Sequence, residues 1–230
     1  MVNVISMMLV KNEADRWLHE ALRQARFLSD HVVVLDDAST DTTREIAYQY
    51  ADEVLESAVS MFARDERFQR QRLWDTATRM ARRGDWILGF DADELLPEDH
   101  VERLRLILTT KFLPGVDSMS FRLCDMWSDT HYRDDKFWTA HHRQWVRAVR
   151  FDPTAPNRWR DATHHCGSFP LGSEGVVGFT DLTIKHMGWS REQDRKAKFD
   201  RYMEADPDGA LGWLEQYHSI LDPEPHLVAL

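Results

Sequence analysis

Apolar and polar positions along the first half of the chain predict strands and helices in turn. Residues 2–10 form a largely apolar run that suits a buried strand, and residues 13–27 carry apolar side chains at helical spacing. Residues 31–35 are few and rich in valine, which favours a second central strand. Alternating strands and helices are typical of a parallel sheet covered by helices.

This pattern ends near residue 108. Up to that point we predict helices that end at Tyr50 and span 65–82 and 97–108, and strands over 53–56 and 85–90. Beyond Pro114 and Gly115, strand-like segments are separated by polar, aromatic-rich loops, and the tail from Asp222 looks loosely ordered. In this second half we predict strands over 118–123, 144–149 and 183–186 and a helix over 193–205.

Length and composition indicate one domain. The chain has 230 residues, of which 43% are hydrophobic, and this is enough for a continuous α/β core. It contains no run of about 18 apolar residues, and its first residues lack the basic and long apolar regions of a secretory signal. We therefore expect a single cytoplasmic domain over residues 1–230, without a transmembrane segment.

The charge of the chain argues against nucleic acid as a partner. A net charge of −10 repels a polyanion overall, although seven arginines crowd into one short segment. Charge runs are commonly solvated helix faces, so we expect most of these side chains to be exposed and one or two to be available to a diphosphate. The seven are Arg64, Arg67, Arg70, Arg72, Arg79, Arg82 and Arg83.

Three polar clusters follow predicted strands, where an open parallel sheet binds its ligands. They are Lys11-Asn12-Glu13, Asp36-Asp37 and Asp91-Ala92-Asp93-Glu94. Each one alone is equally explained by the capping of the next helix. Neighbouring carboxylates repel one another unless a cation or hydrogen-bond donors compensate them, so three clusters together favour a ligand site.

The third cluster points to a metal and a diphosphate. Asp91 and Asp93 flank the small Ala92, and two such carboxylates suit a hard divalent cation that keeps positions open for phosphate oxygens. The chain has neither a P-loop nor a Gly-x-Gly-x-x-Gly sequence, so backbone amides are not expected to cradle the phosphates. The metal would have to bind them.

These motifs resemble those of the family 2 glycosyltransferases with the GT-A fold. The resemblance covers most of the chain and is carried by MMLVKNEADRW, VVVLDDASTDTTREI, GDWILGFDADE and IKHMGWSREQDRKAKFDRYMEADP. It implies a GT-A-like α/β domain with a mainly parallel sheet flanked by helices. Residues 1–113 would form a Rossmann-like half that binds the nucleotide sugar, and residues 114–230 would bind the acceptor.

The resemblance also implies roles for individual residues. Asp91, Asp93 and the His of IKHMGW, His186, would bind Mn²⁺ or Mg²⁺, although a lone histidine after a strand is often only structural. The donor would be a UDP-, GDP- or dTDP-sugar, and the acceptor a glycan, lipid, peptide or small molecule. The nucleotide would lie against Asn12, Glu13, Asp36, Asp37, Arg72 and Asp91.

An inverting transfer needs a base that deprotonates the acceptor hydroxyl, and the family's base is an acidic residue in the second half. The usual Glu-Asp pair is not evident here. We predict Asp134 and Asp135, in HYRDDKFW, as the catalytic residues, with Asp129 and Asp161 as further candidates. Each of these could equally be a solvated loop residue.

Two other features carry competing interpretations. The pairs His141-His142 and His164-His165 suggest zinc, but adjacent side chains of a strand point to opposite faces, which argues against a shared ion. Six of the nine tryptophans lie in the second half, where core packing competes with stacking on sugar rings.

Three alternatives to a glycosyltransferase remain open. A haloacid-dehalogenase-type phosphatase also uses Asp-x-Asp, but after an early strand. A nucleotidyltransferase would share the nucleotide-binding core and metal, although Lys11 alone does not supply its Gly-rich basic loop. A non-catalytic nucleotide-sugar-binding relative would keep the fold and lose the base.

Overall fold

The computed structural model describes residues 2–110, 114–161, 166–210 and 212–230. Within these ranges, only the backbone of residues 62 and 63 is described. The strands are β1 (Val4–Val10), β2 (His31–Asp36), β3 (Glu53–Glu56), β4 (Trp86–Leu88), β5 (Glu94–Leu95), β6 (Ser118–Asp125), β7 (His131–Arg133), β8 (Gln144–Arg150), β9 (Val177–His186) and β10 (Leu227–Ala229). The α-helices are α1 (Leu18–Leu28), α2 (Thr43–Tyr50), α3 (Phe62–Thr78), α4 (Glu98–Thr109), α5 (Glu192–Ala205) and α6 (Leu214–Ser219).

Eight strands form one mixed sheet in the order β3-β2-β1-β4-β8-β6-β9-β5. The first four strands of this order are parallel to one another, and β6 is parallel to β9. The pairs β4–β8, β8–β6 and β9–β5 are antiparallel. The predicted α/β fold with a mainly parallel sheet is therefore confirmed.

The core lies on both faces of this sheet. All seven residues of β1 are buried, because α1 covers one face and α3 the other. Strands that are buried on both faces read as continuous apolar runs, which is why β1 and β2 were evident in the sequence. Their shared direction brings the carboxyl ends of β1, β2 and β4 to one edge.

The predicted elements are present, with shifted ends. The helix predicted over 65–82 extends from Phe62 to Thr78, and its backbone is non-helical at Asp65. The strand predicted over 183–186 is longer and begins at Val177. Strands β5, β7 and β10 were not predicted, because two or three residues are too few to show a period.

The prediction of a loosely ordered tail from Asp222 is wrong. Strand β10 pairs antiparallel with β7, and Val228 packs against the core. The guanidinium of Arg133 also donates to the Asp222 carboxylate at 3.1 Å and to the Ser219 carbonyl oxygen at 2.5 Å. The tail is fixed by backbone pairing and by one buried arginine, neither of which appears as a hydrophobic period.

Candidate active site

Three strand ends bring Asp93, Asp125 and His186 together. Strand β5 follows the Asp91-Ala92-Asp93 turn and pairs with the end of β9, so that Glu94 lies opposite His186. The amide of Met187 donates to the Asp93 carbonyl oxygen at 2.7 Å. Strand β6 runs parallel to β9 on its other side and places Asp125 opposite His186. Residues far apart in sequence thus meet through backbone pairing.

The imidazole of His186 lies between two carboxylates. Its Nδ1 is 2.7 Å from Oδ1 of Asp125, and its Nε2 is 3.5 Å from Oδ2 of Asp93. Burial alone would lower the pKa of His186, but the two carboxylates outweigh it and raise that pKa to about 10. This pKa favours the positively charged imidazole, with a proton on both ring nitrogens. A metal that took Nε2 as a ligand would displace the proton from that nitrogen.

Cations surround the carboxylate of Asp93. Burial would raise its pKa, but His186, Lys198 and Arg16 together hold that pKa well below its usual range. Lys198 places Nζ 4.0 Å from Oδ2 of Asp93 and lies over the Trp189 ring, 4.1 Å from its centroid. Asp93 is thus an ionised, largely buried carboxylate.

Gly188 passes directly beside Asp93. A Cβ at this position would collide with the Asp93 carboxylate and with Nζ of Lys198. Only glycine lets the backbone approach the carboxylate this closely. The turn after β9 is therefore shaped around Asp93.

Asp91 faces a different partner from Asp93. Its Oδ1 accepts from Nη2 of Arg70 at 3.0 Å, while Nε of Arg70 donates to Glu66 at 3.1 Å. Within the described ranges, ligand atoms of Asp91, Asp93 and His186 do not all lie within 4.8 Å of one another. Asp91 belongs to the same turn as Asp93, but its carboxylate is paired with an arginine.

The two acidic residues at the end of β2 are buried. The carboxylate of Asp37 accepts from Ser60 Oγ at 2.6 Å, from the Met61 amide at 2.9 Å and from the Gln69 side chain. Oδ2 of Asp36 accepts from the Ser39 amide, and its Oδ1 is buried with no hydrogen-bond donor among the described residues. This oxygen is an acceptor without a partner at the predicted nucleotide end of the sheet.

Asn12 and Glu13 join the first strand end to the turn after the second. Asn12 has a positive φ of 51°, and its Oδ1 accepts from the Thr40 amide at 2.8 Å. The amide of Glu13 donates to Oγ1 of Thr43 at 2.7 Å. Burial raises the pKa of Glu13, Arg16 opposes this effect and nearby Asp93 adds to it, and the resulting pKa is about 7. Glu13 therefore lies within the electrostatic reach of Asp93.

Arg72, the arginine predicted near the donor, contacts residues of the hydrogen-bond network around Asp37. Arg72 donates to Ser57 Oγ and Gln69 Oε1, each at 2.9 Å, and both of these residues belong to the same hydrogen-bond network as Asp37.

Four arginines of the run are exposed, as expected, but Arg70 is buried. The exposed four are Arg64, Arg79, Arg82 and Arg83.

The predicted catalytic pair follows β7, in the second half of the chain. Asp135 accepts from Nε of Arg133 at 2.6 Å and from the Phe137 amide at 2.9 Å. Oδ1 of Asp134 instead lies 3.2 Å from Nε2 of His141. No measured contact joins either aspartate to Asp93 or His186, so their role stays a prediction.

A tryptophan cluster lies between these two regions. Trp127, Trp138 and Trp189 are buried against one another, and Arg133 lies over the first two rings. The core-packing interpretation therefore holds for these three. Trp213 is about half exposed and remains a surface aromatic.

Sequence reasoning missed Asp125 and the specific role of Arg70. Asp125 is the last residue of β6, as Asp36 is the last residue of β2. The search for polar residues at strand ends would have found Asp125 if the predicted strand had not ended at Leu123. Arg70 is one of seven arginines in the run and is buried, whereas the predicted Arg72, two residues later, is only partly buried. The partner of Arg70, Asp91, is close only in the folded chain.

A mixed α/β sheet with this order, with acidic turns at the carboxyl ends of its parallel strands, is a fold of the GT-A type. The family model for glycosyl transferase family 2 matches residues 6–174. The match covers more than half of the chain, so the chain belongs to this family. No helix among the described residues is long and apolar enough to cross a membrane.

Solved structures share the fold at low identity. A mannosyl-3-phosphoglycerate synthase from Rubrobacter xylanophilus matches with a TM-score of 0.51 and 14% identity, over 93% of this chain and 77% of that one. A mannosyltransferase from Pyrobaculum calidifontis, in complex with GDP-Man and Mn²⁺, matches with a TM-score of 0.48 and 17% identity, over 90% of this chain. The similarity to the Rubrobacter xylanophilus enzyme supports the GT-A-like fold.

The chain is shorter than several of these proteins. It spans 65% of the Pyrobaculum calidifontis mannosyltransferase. It spans 44% of a glucosyl-3-phosphoglycerate synthase from Mycobacterium tuberculosis, solved with phosphoglyceric acid, at 18% identity, a TM-score of 0.38 and 53% coverage of this chain. A search among curated proteins found no match.

Proposed function

We propose that this chain is a metal-dependent, inverting glycosyltransferase, and that it moves a sugar from a nucleotide-sugar donor to an acceptor by direct displacement. The observation that carries the proposal is the pair formed by Asp93 and His186. A buried carboxylate lies 3.5 Å from an imidazole that is itself held by a second carboxylate, Asp125. Such carboxylate–histidine arrangements orient metal ligands in proteins.

The residues present suit a divalent cation such as Mn²⁺ or Mg²⁺. A carboxylate oxygen and one imidazole match the mixed ligand set that Mn²⁺ accepts, and the donor's phosphates would complete it. When bound, the ion would neutralise the diphosphate and assist its departure. Asp93 and His186 would bind it directly, and Asp125 would orient the imidazole. Asp91 would become a further ligand once its ion pair with Arg70 breaks, and Arg70 would then be available to a phosphate.

The nucleotide would lie over the carboxyl ends of β1, β2 and β4, in the half formed by residues 1–113. The buried Oδ1 of Asp36 is an acceptor that a ribose hydroxyl or a base N–H would satisfy. The other residues we assign to nucleotide binding are Asn12, Glu13, Asp37, Arg72 and Asp91. The donor would be a UDP-, GDP- or dTDP-sugar.

Residues 114–230 would bind the acceptor, a glycan, lipid, peptide or small molecule. A carboxylate there would accept the proton of the attacking hydroxyl while the bond between the anomeric carbon and the diphosphate breaks. Asp134 and Asp135 remain the proposed base candidates. Asp135 is ordered by Arg133 and the Phe137 amide, which would fix the direction of its carboxylate.

The test is donor turnover measured with UDP-, GDP- and dTDP-sugars, with Mn²⁺ or with EDTA. We expect one donor to be hydrolysed slowly only when Mn²⁺ is present, and Asp93→Asn to abolish both turnover and metal-dependent nucleotide binding. Asp99→Asn, at a side chain that is 75% exposed, is the matched control and should behave as wild type. Binding without turnover would indicate a non-catalytic relative. Turnover that is equal in EDTA would overturn the metal dependence.

A further inference from the structure

A second group of metal-binding side chains lies apart from Asp93. Asp134, His141 and His142, here called the His141 cluster, each offer one ligand atom, and these atoms all lie within 4.8 Å of one another. Oδ1 of Asp134 is 3.2 Å from Nε2 of His141 and 3.8 Å from Nε2 of His142. The described part of the chain contains no other group of three that meets this criterion.

The backbone explains why two adjacent histidines can share a partner. The objection raised from the sequence assumed a strand, on which neighbouring side chains point to opposite faces. Residues Ala140–His142 instead form a 3₁₀ turn, in which successive side chains are only about 120° apart. The two imidazole rings have centroids 4.2 Å apart and planes inclined at 67°. The objection to a shared ion at His141 and His142 therefore does not hold, while His164 and His165 lie outside the described residues.

The environment of His141 lacks the hydrogen bonds that burial requires. Its side chain is only 4% exposed, and both ring nitrogens are buried without a hydrogen-bond partner among the described residues. The Asp134 oxygen is near Nε2, but it is not aligned for a hydrogen bond. Buried polar atoms in native proteins nearly always have a partner, so the unpartnered Nε2 is available to a ligand.

We propose that Asp134, His141 and His142 bind a divalent transition metal of the Zn²⁺ class. Ligands about 2.0–2.1 Å from a tetrahedral ion lie about 3.3 Å apart, close to the separations of Asp134 from the two histidines. Two imidazoles and one carboxylate favour Zn²⁺ over Mg²⁺ or Ca²⁺. His142 is 61% exposed, which gives the ion an entry path and leaves the fourth position to water.

The metal would connect the end of β7 to the turn before β8. Asp134 is already held to the C-terminal segment, because its amide donates to the His226 carbonyl oxygen at 3.1 Å. The enclosed loop carries Asp135 and Trp138, so the ion would order part of the acceptor half. If Asp134 is a ligand, Asp135 is left as the proposed base. Arg122 lies near the cluster, because it donates to the Tyr132 hydroxyl and the Tyr132 ring packs against His141.

The test is a titration of Zn²⁺ into protein that has been treated with EDTA and dialysed, in competition with a chromophoric chelator. The absorption spectrum of bound Co²⁺ then reports the coordination. We expect one equivalent of Zn²⁺ to bind per chain and to raise Tm. Removing a ligand should weaken binding at least as much as the 10–100-fold that loss of a second-shell partner costs. His142→Ala is the main variant because its side chain is exposed and its loss should not disturb folding.

Two further variants make the result decisive. His218→Ala, at an exposed histidine elsewhere, should bind Zn²⁺ as wild type does. Asp93→Asn should also bind one equivalent of Zn²⁺. This result would show that the His141 cluster is distinct from the site of the proposed function. Failure of wild type to bind one equivalent would overturn the proposal. So would equal affinity and equal Co²⁺ spectra in wild type and His142→Ala.

Discussion

At the scale of the residue, the site depends on how His186 is oriented. Its Nδ1 bonds to Asp125 at 2.7 Å, which directs Nε2 towards Asp93. The family resemblance assigned Asp93 and His186 to one metal site, but nothing in the sequence joined them to Asp125. That connection comes from strand register, because Asp125 and His186 are partners across β6 and β9.

Asp125→Asn should weaken Mn²⁺ binding by about 10–100-fold, the usual cost of losing the carboxylate behind a metal-bound histidine. The neutral amide no longer attracts the imidazole N–H as strongly, so Nε2 becomes a poorer and less fixed ligand. The measurement is Mn²⁺ affinity by calorimetry with nucleoside diphosphate present. Urea unfolding separates this effect from instability. If Asp125→Asn alters the free energy of unfolding while Mn²⁺ affinity stays at the wild-type value, Asp125 has only a structural role.

At the scale of the element, one buried ion pair holds the Asp91-Ala92-Asp93 turn against the sheet. Arg147 on β8 donates to both carboxylate oxygens of Glu94, at 2.6 and 2.7 Å, and Glu94 also accepts from the Asp91 amide at 3.2 Å. Both side chains are nearly buried, at 11% and 3% exposure. The pair fixes the backbone that carries Asp91 and Asp93.

Arg147→Met should lower the free energy of unfolding by about 3–5 kcal/mol, because it leaves the Glu94 charge buried and unpaired. Adding Glu94→Gln removes that charge, keeps an acceptor for the Asp91 amide and should restore much of the loss. Urea denaturation of the single and double variants measures the coupling. Arg103→Met breaks an exposed pair with Asp181 and should cost less than about 1 kcal/mol. Equal losses in the single and double variants would contradict this account.

The elements also show where sequence reasoning succeeds and where it fails. The parallel strands β1 and β2 were recognisable because burial on both faces makes them continuously apolar. Strand β5 has two residues and no period, yet it is the strand that brings Asp93 to His186. The argument against a shared ion at His141 and His142 assumed strand geometry, and the 3₁₀ turn found there is also too short to show a period. Long elements are encoded locally, whereas these short ones depend on their partners in the fold.

At the scale of the whole molecule, charge determines which anions should bind. The chain carries a net charge of −10 and repels polyanions in general. Around Asp93, however, Arg16, His186 and Lys198 gather positive charge at one edge of the sheet. A compact diphosphate that brings its own divalent cation is compatible with both facts, whereas an extended polyanion is not.

Nucleoside diphosphate together with Mn²⁺ should therefore stabilise the whole domain. A ligand at a hundredfold excess over Kd adds about 2.7 kcal/mol, and for a chain of this size each kcal/mol raises Tm by about 2–4 °C, so we expect a rise of about 5–10 °C. UDP, GDP and dTDP should differ, which would identify the donor's nucleotide. EDTA or Asp93→Asn should remove the rise, and duplex DNA should produce none. A comparable rise with DNA, or one that persists in EDTA, would show that general anion binding and not a metal-held diphosphate is responsible.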